Sequence, residues 1–366
     1  MRVGIIGAGI SGLALGATLH RGGVDVQLYE RHGHIRGTGA GITLAENGLT
    51  ALDALGIGAA FRHRQWGQTL VRGGIRCPEG EWLSCIPADG LGIDRAELHT
   101  LLLKHLPETL VHTSAEAVDV EAQTGTVTFA DGKVERFDVV VGADGIRSAV
   151  RRSCFYDPGI AYAGYNAWRG VSDGPLYDAV FETWGERARF GAVPLHDGRV
   201  YWFAVLSGAE ATPGEARLDL LKSTFASWHD PIPDLLRATP DESIQLLPIQ
   251  ELASPLPTYC NGKVVLVGDA AHAMTPNLGQ GACQGLEDVA VLSALLLNGT
   301  QDIRTYDEYR LRRSQTIARQ SRLVGRVIHA GGRKVASIRN WVLGRVPDSV
   351  SQRQVQSVTA WQMPAL

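Results

Sequence analysis

The chain has 366 residues, of which 45% are hydrophobic, and a formal net charge of −3. This length supports a large core and more than one typical domain, and the lack of any basic block excludes nucleic acid as a partner. No apolar run reaches the length of about 20 residues that a membrane span needs, and the first motif begins too early for a signal peptide. The five scattered cysteines predict reduced thiols rather than disulfides or a metal site. We therefore expect a cytoplasmic protein without a metal or a membrane partner.

The chain begins with a strand, a glycine-rich turn and a helix. Residues 2–6 are a short apolar run, which predicts a buried strand. Gly7, Gly9 and Gly12 follow in G-x-G-x-x-G spacing. Gly7 permits a tight turn, Gly9 lets the backbone approach a diphosphate, and Gly12 lets the next helix pack closely on the strand. Residues 13–19 continue this helix, whose N-terminus offers free N–H groups to phosphate oxygens.

The second strand ends in an acidic residue. Residues 24–29 form the strand, and Glu30 closes it. A carboxylate at this position accepts hydrogen bonds from a ribose 2′-OH and repels a 2′-phosphate. The order of strand, helix, strand and acid therefore predicts a site for FAD or NAD, and excludes NADP there.

Further helices and strands follow up to residue 157. Helices are predicted at 47–56 and 94–103, residues 66–92 are β-like and polar, and another strand covers 134–141. The second helix has Asp94 as its N-cap and Glu97 three residues later, which is a capping-box arrangement.

Residues 158–250 differ in character from the rest. Short alternating runs separated by turn residues predict an antiparallel sheet, with strands at 162–171, 179–184, 187–193 and 200–206. The helices predicted after them cover 214–227, 281–297 and 302–329. Because an α/β pattern returns from Lys263, we expect the chain to re-enter its first domain there.

Two later motifs complete a set of three. Gly142-Ala-Asp-Gly-Ile-Arg-Ser148 follows a predicted strand, and Val264-Val-Leu-Val-Gly-Asp-Ala-Ala-His272 is followed by Pro276-Asn-Leu-Gly-Gln-Gly281. The first and third motifs could hold one extended dinucleotide at both ends, which favours FAD. In type and order the three motifs resemble those of the single-component FAD aromatic hydroxylases, of the p-hydroxybenzoate and salicylate hydroxylase type.

Two branches of that family are closest in motif. Residues 162–165, Trp168, 193–194 and 198–201 look similar to the FAD-dependent urate hydroxylases, and the zeaxanthin epoxidase-like enzymes are also close. The resemblance implies an oxidoreductase, a monooxygenase that holds FAD non-covalently and uses NAD(P)H and O2 to hydroxylate an aromatic or heteroaromatic small molecule through a flavin C4a-hydroperoxide. Since no second G-x-G-x-x-G exists, we expect NAD(P)H to bind transiently. We expect a monomer or a homodimer.

The fold expected from these features is α/β, with a Rossmann-like FAD-binding domain of the GR2 type and a second domain built on an antiparallel sheet. The FAD-binding domain would be discontinuous and comprise residues 1–65, 94–157 and 251–330. The substrate domain would comprise 66–93 and 158–250, and 331–366 would form a C-terminal helical tail packed on the FAD-binding domain.

The resemblance also implies individual FAD contacts. Arg95 would reach the ribose or the pyrophosphate, Asp269 would bind the ribitol chain, and the backbone from Leu278 to Gly281, including Gly279, would face the flavin pyrimidine. A helix N-terminus there supplies positive dipole where reduced flavin carries negative charge. The other predicted FAD-binding residues are Gly7, Gly9, Ile10, Ser11, Gly12, Glu30, Arg31, Gly41, Val118 and Asp144.

Three motif residues keep alternative interpretations. Asp144 and Arg147 lie where the family joins FAD binding to nicotinamide use, although an Asp-Gly turn with a salt bridge would explain them equally well. His272 has a reference pKa near neutrality, as a general base requires. The resemblance instead implies a structural role for it.

Substrate residues are predicted in the antiparallel sheet and beside the flavin. The resemblance gives Arg189 and Tyr201 catalytic roles: the cation holds a substrate oxygen and the phenol helps to remove the substrate proton. A surface cation and a core aromatic residue are their alternative interpretations. Thr43 would line the ring cavity and Pro276 would lie near the flavin edge.

The chain departs from the urate hydroxylase pattern at two positions. Arg169 stands where that branch has Asn, and Pro276-Asn277 stands where it has Pro-Asp, so urate itself is in doubt. Two further functions stay open: a flavin epoxidase acting on an alkene of an isoprenoid or polyketide, and a non-catalytic FAD-binding protein.

Overall fold

The computed structural model describes residues 1–35, 41–61, 67–174, 179–212, 218–299 and 302–366. Within these residues, the strands in chain order are β1 Arg2–Ile6, β2 Asp25–Tyr29, β3 Gly41–Ala45, β4 Gln68–Arg76, β5 Trp82–Asp94, β6 Val111–His112, β7 Ala117–Glu121, β8 Thr126–Phe129, β9 Val134–Arg136, β10 Val139–Gly142, β11 Ile160–Asp173, β12 Ala179–Trp184, β13 Ala188–Pro194, β14 Arg199–Ser207, β15 Gln245–Leu252, β16 Cys260–Asn261 and β17 Val264–Leu266. The α-helices are α1 Ile10–Arg21, α2 Glu46–Ala54, α3 Gly58–Phe61, α4 Arg95–Leu103, α5 Ala149–Cys154, α6 Leu218–Thr224, α7 Ile232–Ala238, α8 Asp269–His272, α9 Gly281–Leu297, α10 Thr305–Ile328, α11 Arg333–Leu343 and α12 Asp348–Thr359.

A six-stranded sheet forms the first layer, in the order β16-β17-β10-β1-β2-β6. Its strands pair in parallel except β16 with β17. Three of the parallel strands, β1, β10 and β17, are short apolar runs that are almost entirely buried, and helices α1 and α9 pack beside them in the main hydrophobic core. The strand predicted at 2–6 and the helix predicted at 281–297 are both confirmed.

An eight-stranded sheet, in the order β15-β11-β14-β13-β12-β4-β5-β3, carries the antiparallel pattern predicted for 158–250. Only the pairing of β12 with β4 is parallel among its described strands. Helices α6 and α7 cover one face of this sheet, where Trp168, Phe190 and Trp202 form a separate hydrophobic cluster. The fold class predicted from the sequence is confirmed.

The strand predicted over 134–141 is wrong, because this segment contributes to two sheets. β9 pairs with β8 in a small three-stranded sheet, whereas β10 pairs with β1. Phe137 interrupts the run: its ring packs beneath Gly4, where an added Cβ would lie 2.6 Å from the ring, and its N–H donates to Gly125 O. The change of sheet therefore falls inside the segment that was predicted as one strand.

Two segments have neighbours that differ from the predicted domain division. Residues 41–45, expected in the FAD-binding domain, form β3 and pair with β5 at the edge of the eight-stranded sheet. In the tail, Arg339 donates to Gly185 O at 2.9 Å and Asn340 donates to Trp184 O at 3.1 Å, so α11 rests on the eight-stranded sheet. Only the end of the tail, at Trp361, packs against the core of the parallel sheet.

One expectation falls partly outside the described residues: the first part of the helix at 214–227, of which α6 is the later part. All five cysteines are free. No helix in the described part of the chain has the length and apolar character needed to cross a membrane, and the described residues contain no cluster of three His, Cys, Asp or Glu able to hold a metal.

Candidate dinucleotide and substrate site

The glycine-rich turn leaves open space in front of a helix N-terminus. Gly7 has φ +107°, and an added Cβ would lie 2.4 Å from Ala143 O. At Gly12 an added Cβ would lie 1.9 Å from Gly7 O, so the helix can pack this closely only with glycine. At Gly9, by contrast, an added Cβ meets nothing within 4 Å. Gly9 also precedes Ile10 without any side-chain cap, so the first N–H groups of α1 suit a diphosphate.

Glu30 lies directly after β2, beside this turn. One carboxylate oxygen accepts from Ala8 N at 3.0 Å and the other accepts from His32 N at 3.0 Å. Each oxygen retains acceptor capacity, as binding a ribose hydroxyl requires. Arg31 follows on the exposed side, and Ala115 N donates to Glu30 O at 2.8 Å. That bond brings the segment leading to the exposed Val118 next to the acid.

The third motif supplies a second open helix start. Gly279 is left-handed with φ +63°, and added Cβ atoms at Gly279 and Gly281 meet nothing within 4 Å. Helix α9 begins at Gly281 without a side-chain cap. Ser11 joins the two motifs, because its Oγ lies 2.8 Å from an added Cβ at Gly268 and 2.4 Å from one at Gly285. The two helix starts therefore adjoin, and the residues present fit one extended dinucleotide.

Asp144 acts on the backbone around it. Its carboxylate accepts from Ser148 Oγ at 2.6 Å and from Ala149 N at 2.7 Å at the start of α5. Burial raises the pKa of Asp144, and these hydrogen bonds oppose that effect. Arg147 donates instead to Gln250 on β15 at 3.1 Å, so these two residues have separate partners and do not form the salt bridge considered above.

His272 lies in a buried ionic cluster. Its Nε2 is 2.6 Å from Asp288 Oδ2, and Arg310 Nε is 2.7 Å from the other oxygen. Burial raises the pKa of Asp288, but His272 and Arg310 outweigh burial and bring it below its usual value. The neighbouring Glu287 accepts from Arg310 and from Asn47 on α2, so the cluster ties α2, α9 and α10 together. This geometry gives His272 a structural role.

One face of the eight-stranded sheet collects the predicted substrate residues. In the strand register Tyr201 is opposite Val193, Arg189 is opposite Val205, and Arg169 is opposite Phe203. Because directly paired residues project to the same side and alternate residues to opposite sides, all six share one face. The neighbours of Tyr201 and Arg189 along the strands, Trp202 and Phe190, belong to the helix-covered cluster on the other face.

Three guanidinium groups act on the Tyr201 hydroxyl. Tyr201 is 7% exposed, and burial raises its pKa, while Arg169, Arg95 and Arg189 oppose that rise. Burial lowers the pKa of Arg95, and the negative charge of Asp269 opposes that decrease. Arg95 is therefore close enough to both Asp269, which is predicted to bind the ribitol chain, and the Tyr201 phenol for their charges to act on it.

Arg189 is buried, so its interpretation as a surface cation is wrong. Its side chain is 2% exposed, and Nη1 donates to Glu182 Oε2 at 3.4 Å. Trp184 Nε1 donates to the same oxygen at 2.9 Å. Among the described residues the Arg189 Nε has no partner. Arg189 therefore has a further donor that its contacts with the described part of the chain leave unpaired.

The remaining predicted substrate residues lie along β3 and the turn before α9. An added Cβ at Gly41 would lie 2.4 Å from Tyr201 Cβ, so β3 passes directly against the phenol. Thr43, two residues on, projects to the same side and is half-buried. Pro276 begins the 3-10 turn that leads to Gly279.

Asn277 explains one departure from the urate hydroxylase pattern. Its Nδ2 donates to Tyr165 Oη and to Ser321 O, each at 2.8 Å. These bonds tie the Pro276 turn to β11 and to α10. Because a carbonyl can only accept, an aspartate at this position would lose the bond to Ser321.

Sequence reasoning missed two members of this face as site residues. Arg169 was noted only as a departure from a pattern, and Glu182 was not considered. Both residues lie on alternating positions of their strands, as Tyr201 does on β14. That they share its face becomes clear only from the pairing of β11 with β14 and of β12 with β13. The sequence signal that could have identified them is a charged residue within a mainly apolar strand.

Comparison with known proteins agrees with this geometry. The family model described as "FAD binding domain" matches residues 1–172 and 233–322. The chain is 38% identical to aurachin C monooxygenase/isomerase from Stigmatella aurantiaca over 80% of this chain and 79% of that protein. It is 34% identical to 2-heptyl-3-hydroxy-4(1H)-quinolone synthase from Pseudomonas aeruginosa strain UCBPP-PA14 over 96% of both. The structure of Klebsiella pneumoniae HpxO complexed with FAD and uric acid matches with TM-score 0.90 and 26% identity, covering 98% of this chain and 97% of that one.

These matches confirm the resemblance noted in the sequence, with FAD as the cofactor and monooxygenation as the activity. The chain belongs to the FAD binding domain family and is an FAD-dependent monooxygenase.

Proposed function

We propose that this enzyme hydroxylates a planar aromatic or heteroaromatic small molecule that carries an ionisable phenolic or ring N–H group. The observation that carries the proposal is the face shared by Tyr201, Arg189 and Arg169, next to Arg95 and Asp269. Two of the proteins compared above are named with a quinolone product or with bound uric acid, which are heteroaromatic molecules of this kind. An isolated alkene, as in the epoxidase alternative, would use none of these charges.

The two large sheets have different roles in the proposed reaction. The six-stranded sheet holds FAD non-covalently through the starts of α1 and α9, and the eight-stranded sheet holds the substrate. Bound FAD, once reduced by NAD(P)H, supplies the oxygen-activating chemistry. The chain binds and orients the substrate ring, excludes water and helps to remove one proton from the substrate.

Tyr201 and the guanidinium groups have distinct tasks. Because burial raises the pKa of Tyr201, its phenol is neutral at neutral pH and acts as a hydrogen-bonding relay for the substrate proton. Arg189, fixed by Glu182, and Arg169 hold substrate oxygen and stabilise the negative charge that develops on the ring as the proton leaves. A deprotonated ring is a better nucleophile, which favours transfer of oxygen to carbon.

The test is a screen on the FAD-loaded protein. Phenols, quinolones, purines and polyketide rings are added one at a time, and NADH and NADPH oxidation is followed together with product mass under labelled O2. The proposal expects at least one ring with an ionisable group to stimulate oxidation and to gain one labelled oxygen atom. Oxygenation confined to alkenes would contradict it and favour the epoxidase, and no stimulated oxidation across all four classes would favour a non-catalytic protein.

A further inference from the structure

Helix α11 exposes a row of large apolar side chains. Val335, Ile338, Trp341 and Val342 are 45%, 64%, 59% and 47% exposed. They recur at helical spacing, so they form one stripe along the helix. Single exposed apolar residues are common on protein surfaces, but four within about two turns mark a surface that binds something apolar.

The opposite side of α11 fixes this stripe outward. Ala336 and Arg339 are buried, and Arg339 Nη2 donates to Gly185 O at 2.9 Å. Asn340 Nδ2 donates to Trp184 O at 3.1 Å. The helix is therefore anchored to the end of β12 by its polar residues, and it cannot rotate to bury the stripe without losing these bonds.

Basic residues accompany the apolar stripe. Residues 331–346 contain no acidic residue, and their basic residues other than the buried Arg339, namely Arg333, Lys334 and Arg345, are exposed, although the whole chain has a net charge of −3. Lys334 lies seven positions before Trp341 on the same helix, so it is on the side of the stripe, and Arg345 follows just after the helix ends. The Arg345 guanidinium lies 4.0 Å from the centre of the Trp341 ring.

We propose that this face of α11 docks on the surface of an anionic phospholipid membrane, with the helix lying in the interface. An apolar stripe bearing tryptophan and flanked by cations matches acyl chains bordered by negative headgroups. A second copy of this chain fits less well, because face-to-face pairing would bring Lys334 and Arg345 of each copy against like charges. This partner goes beyond the proposed function and replaces the sequence-based expectation of no membrane partner.

Docking would hold the substrate sheet at the lipid surface. Trp184 and Gly185, which anchor α11, lie two and three residues after Glu182 along the chain, and Trp184 shares that residue's carboxylate with Arg189. The enzyme would then meet lipophilic ring substrates where they concentrate, in the bilayer rather than in water.

The experiment uses FAD-loaded protein and sedimenting vesicles of phosphatidylcholine alone or with about one third phosphatidylglycerol. We expect the unmodified protein to bind the anionic vesicles, and to bind them more weakly at high salt. The double variants Ile338→Ser/Trp341→Ser and Lys334→Glu/Arg345→Glu should each lose vesicle affinity by roughly tenfold or more. Matched controls are Val134→Ser, an exposed valine on β9, and Lys222→Glu/Arg237→Glu on the helices that cover the far side of the substrate sheet. The controls should bind as the unmodified protein does.

FAD content and oxidation of a water-soluble substrate should be normal in all variants, which separates loss of docking from misfolding and from failure of the proposed function. Equal vesicle affinity in the stripe variants and the controls would overturn the proposal, as would no binding by the unmodified protein. If sedimentation equilibrium shows a dimer that Ile338→Ser/Trp341→Ser dissociates, and vesicles are not bound, a second copy covers the stripe instead.

Discussion

Replacing Tyr201 by phenylalanine removes one hydroxyl from the substrate face and little else. The Tyr201 ring packs against β3 at Gly41 and beside Val193, and phenylalanine retains both contacts. The lost function is the proton relay, which typically contributes 10²- to 10⁴-fold, or about 2.7–5.5 kcal/mol of transition-state stabilisation. We therefore expect the rate of substrate hydroxylation to fall by about that factor, while FAD content and thermal stability stay near normal.

Single-turnover mixing of the reduced enzyme–substrate complex with O2 measures this step directly, with product quantified by mass. Tyr162→Phe is the matched control, because the Tyr162 hydroxyl donates to the backbone at Gly208 O, 2.9 Å away, and is not among the groups that act on Tyr201. The control should hydroxylate within about threefold of the unmodified enzyme. Near-normal turnover by Tyr201→Phe would refute the relay and leave Tyr201 a purely positional role.

Three further predictions concern the cofactor and the core. Gly9→Val should fold, because its side chain enters space free of protein atoms, but its FAD content, measured by absorbance, should fall at least about tenfold. The control Gly208→Val, whose added Cβ also meets open space, should keep its FAD. Full FAD content in Gly9→Val would contradict a contact between Gly9 and the diphosphate. Arg310→Met leaves Asp288 and Glu287 buried without the cation that they share, so it should lower the free energy of unfolding in urea by about 3–5 kcal/mol. The control Arg312→Met, at an exposed position, should lower it by about 0.5 kcal/mol. Equal unfolding midpoints in the two variants would show that the cluster does not stabilise the fold. Acid precipitation should release the flavin into the supernatant, and colour retained in the pellet would show a covalent link.

The parts of the fold that sequence predicted well are those with local signals. The Gly7, Gly9 and Gly12 spacing needs only its own neighbours, and each glycine meets a steric demand within the turn or faces open space. The N-cap of α4 is similar, since Asp94 accepts from Ala96 N at 2.8 Å. The reciprocal half of that capping box is wrong, because the Glu97 carboxylate lies 3.6 Å from His196 instead.

The features that sequence could not predict depend on pairing between distant segments. Glu287 and Asp288 look like ordinary helix residues until α10 brings Arg310 against them. Tyr165 belongs to the substrate side of the sheet through strand register, yet its hydroxyl accepts a hydrogen bond from Asn277 in the turn before α9. Such contacts follow from topology, which short-range patterns do not encode.

The same reasoning makes Arg169 the residue that should separate this enzyme from the urate-type pattern. Arg169 is half-buried on the substrate face and acts on Tyr201, lowering the pKa of its phenol against the larger effect of burial. In Arg169→Asn the pKa of Tyr201 should therefore rise further, and the alkaline limb of the rate–pH profile should move to higher pH. Removing a charge-assisted hydrogen bond worth about 1.5–3 kcal/mol should also raise KM roughly 10- to 150-fold for a substrate with an anionic oxygen. An analogue that lacks this oxygen should show little change, and Arg169→Lys should recover part of the loss. If KM and the pH profile are both unchanged in Arg169→Asn, this arginine is not part of the substrate site.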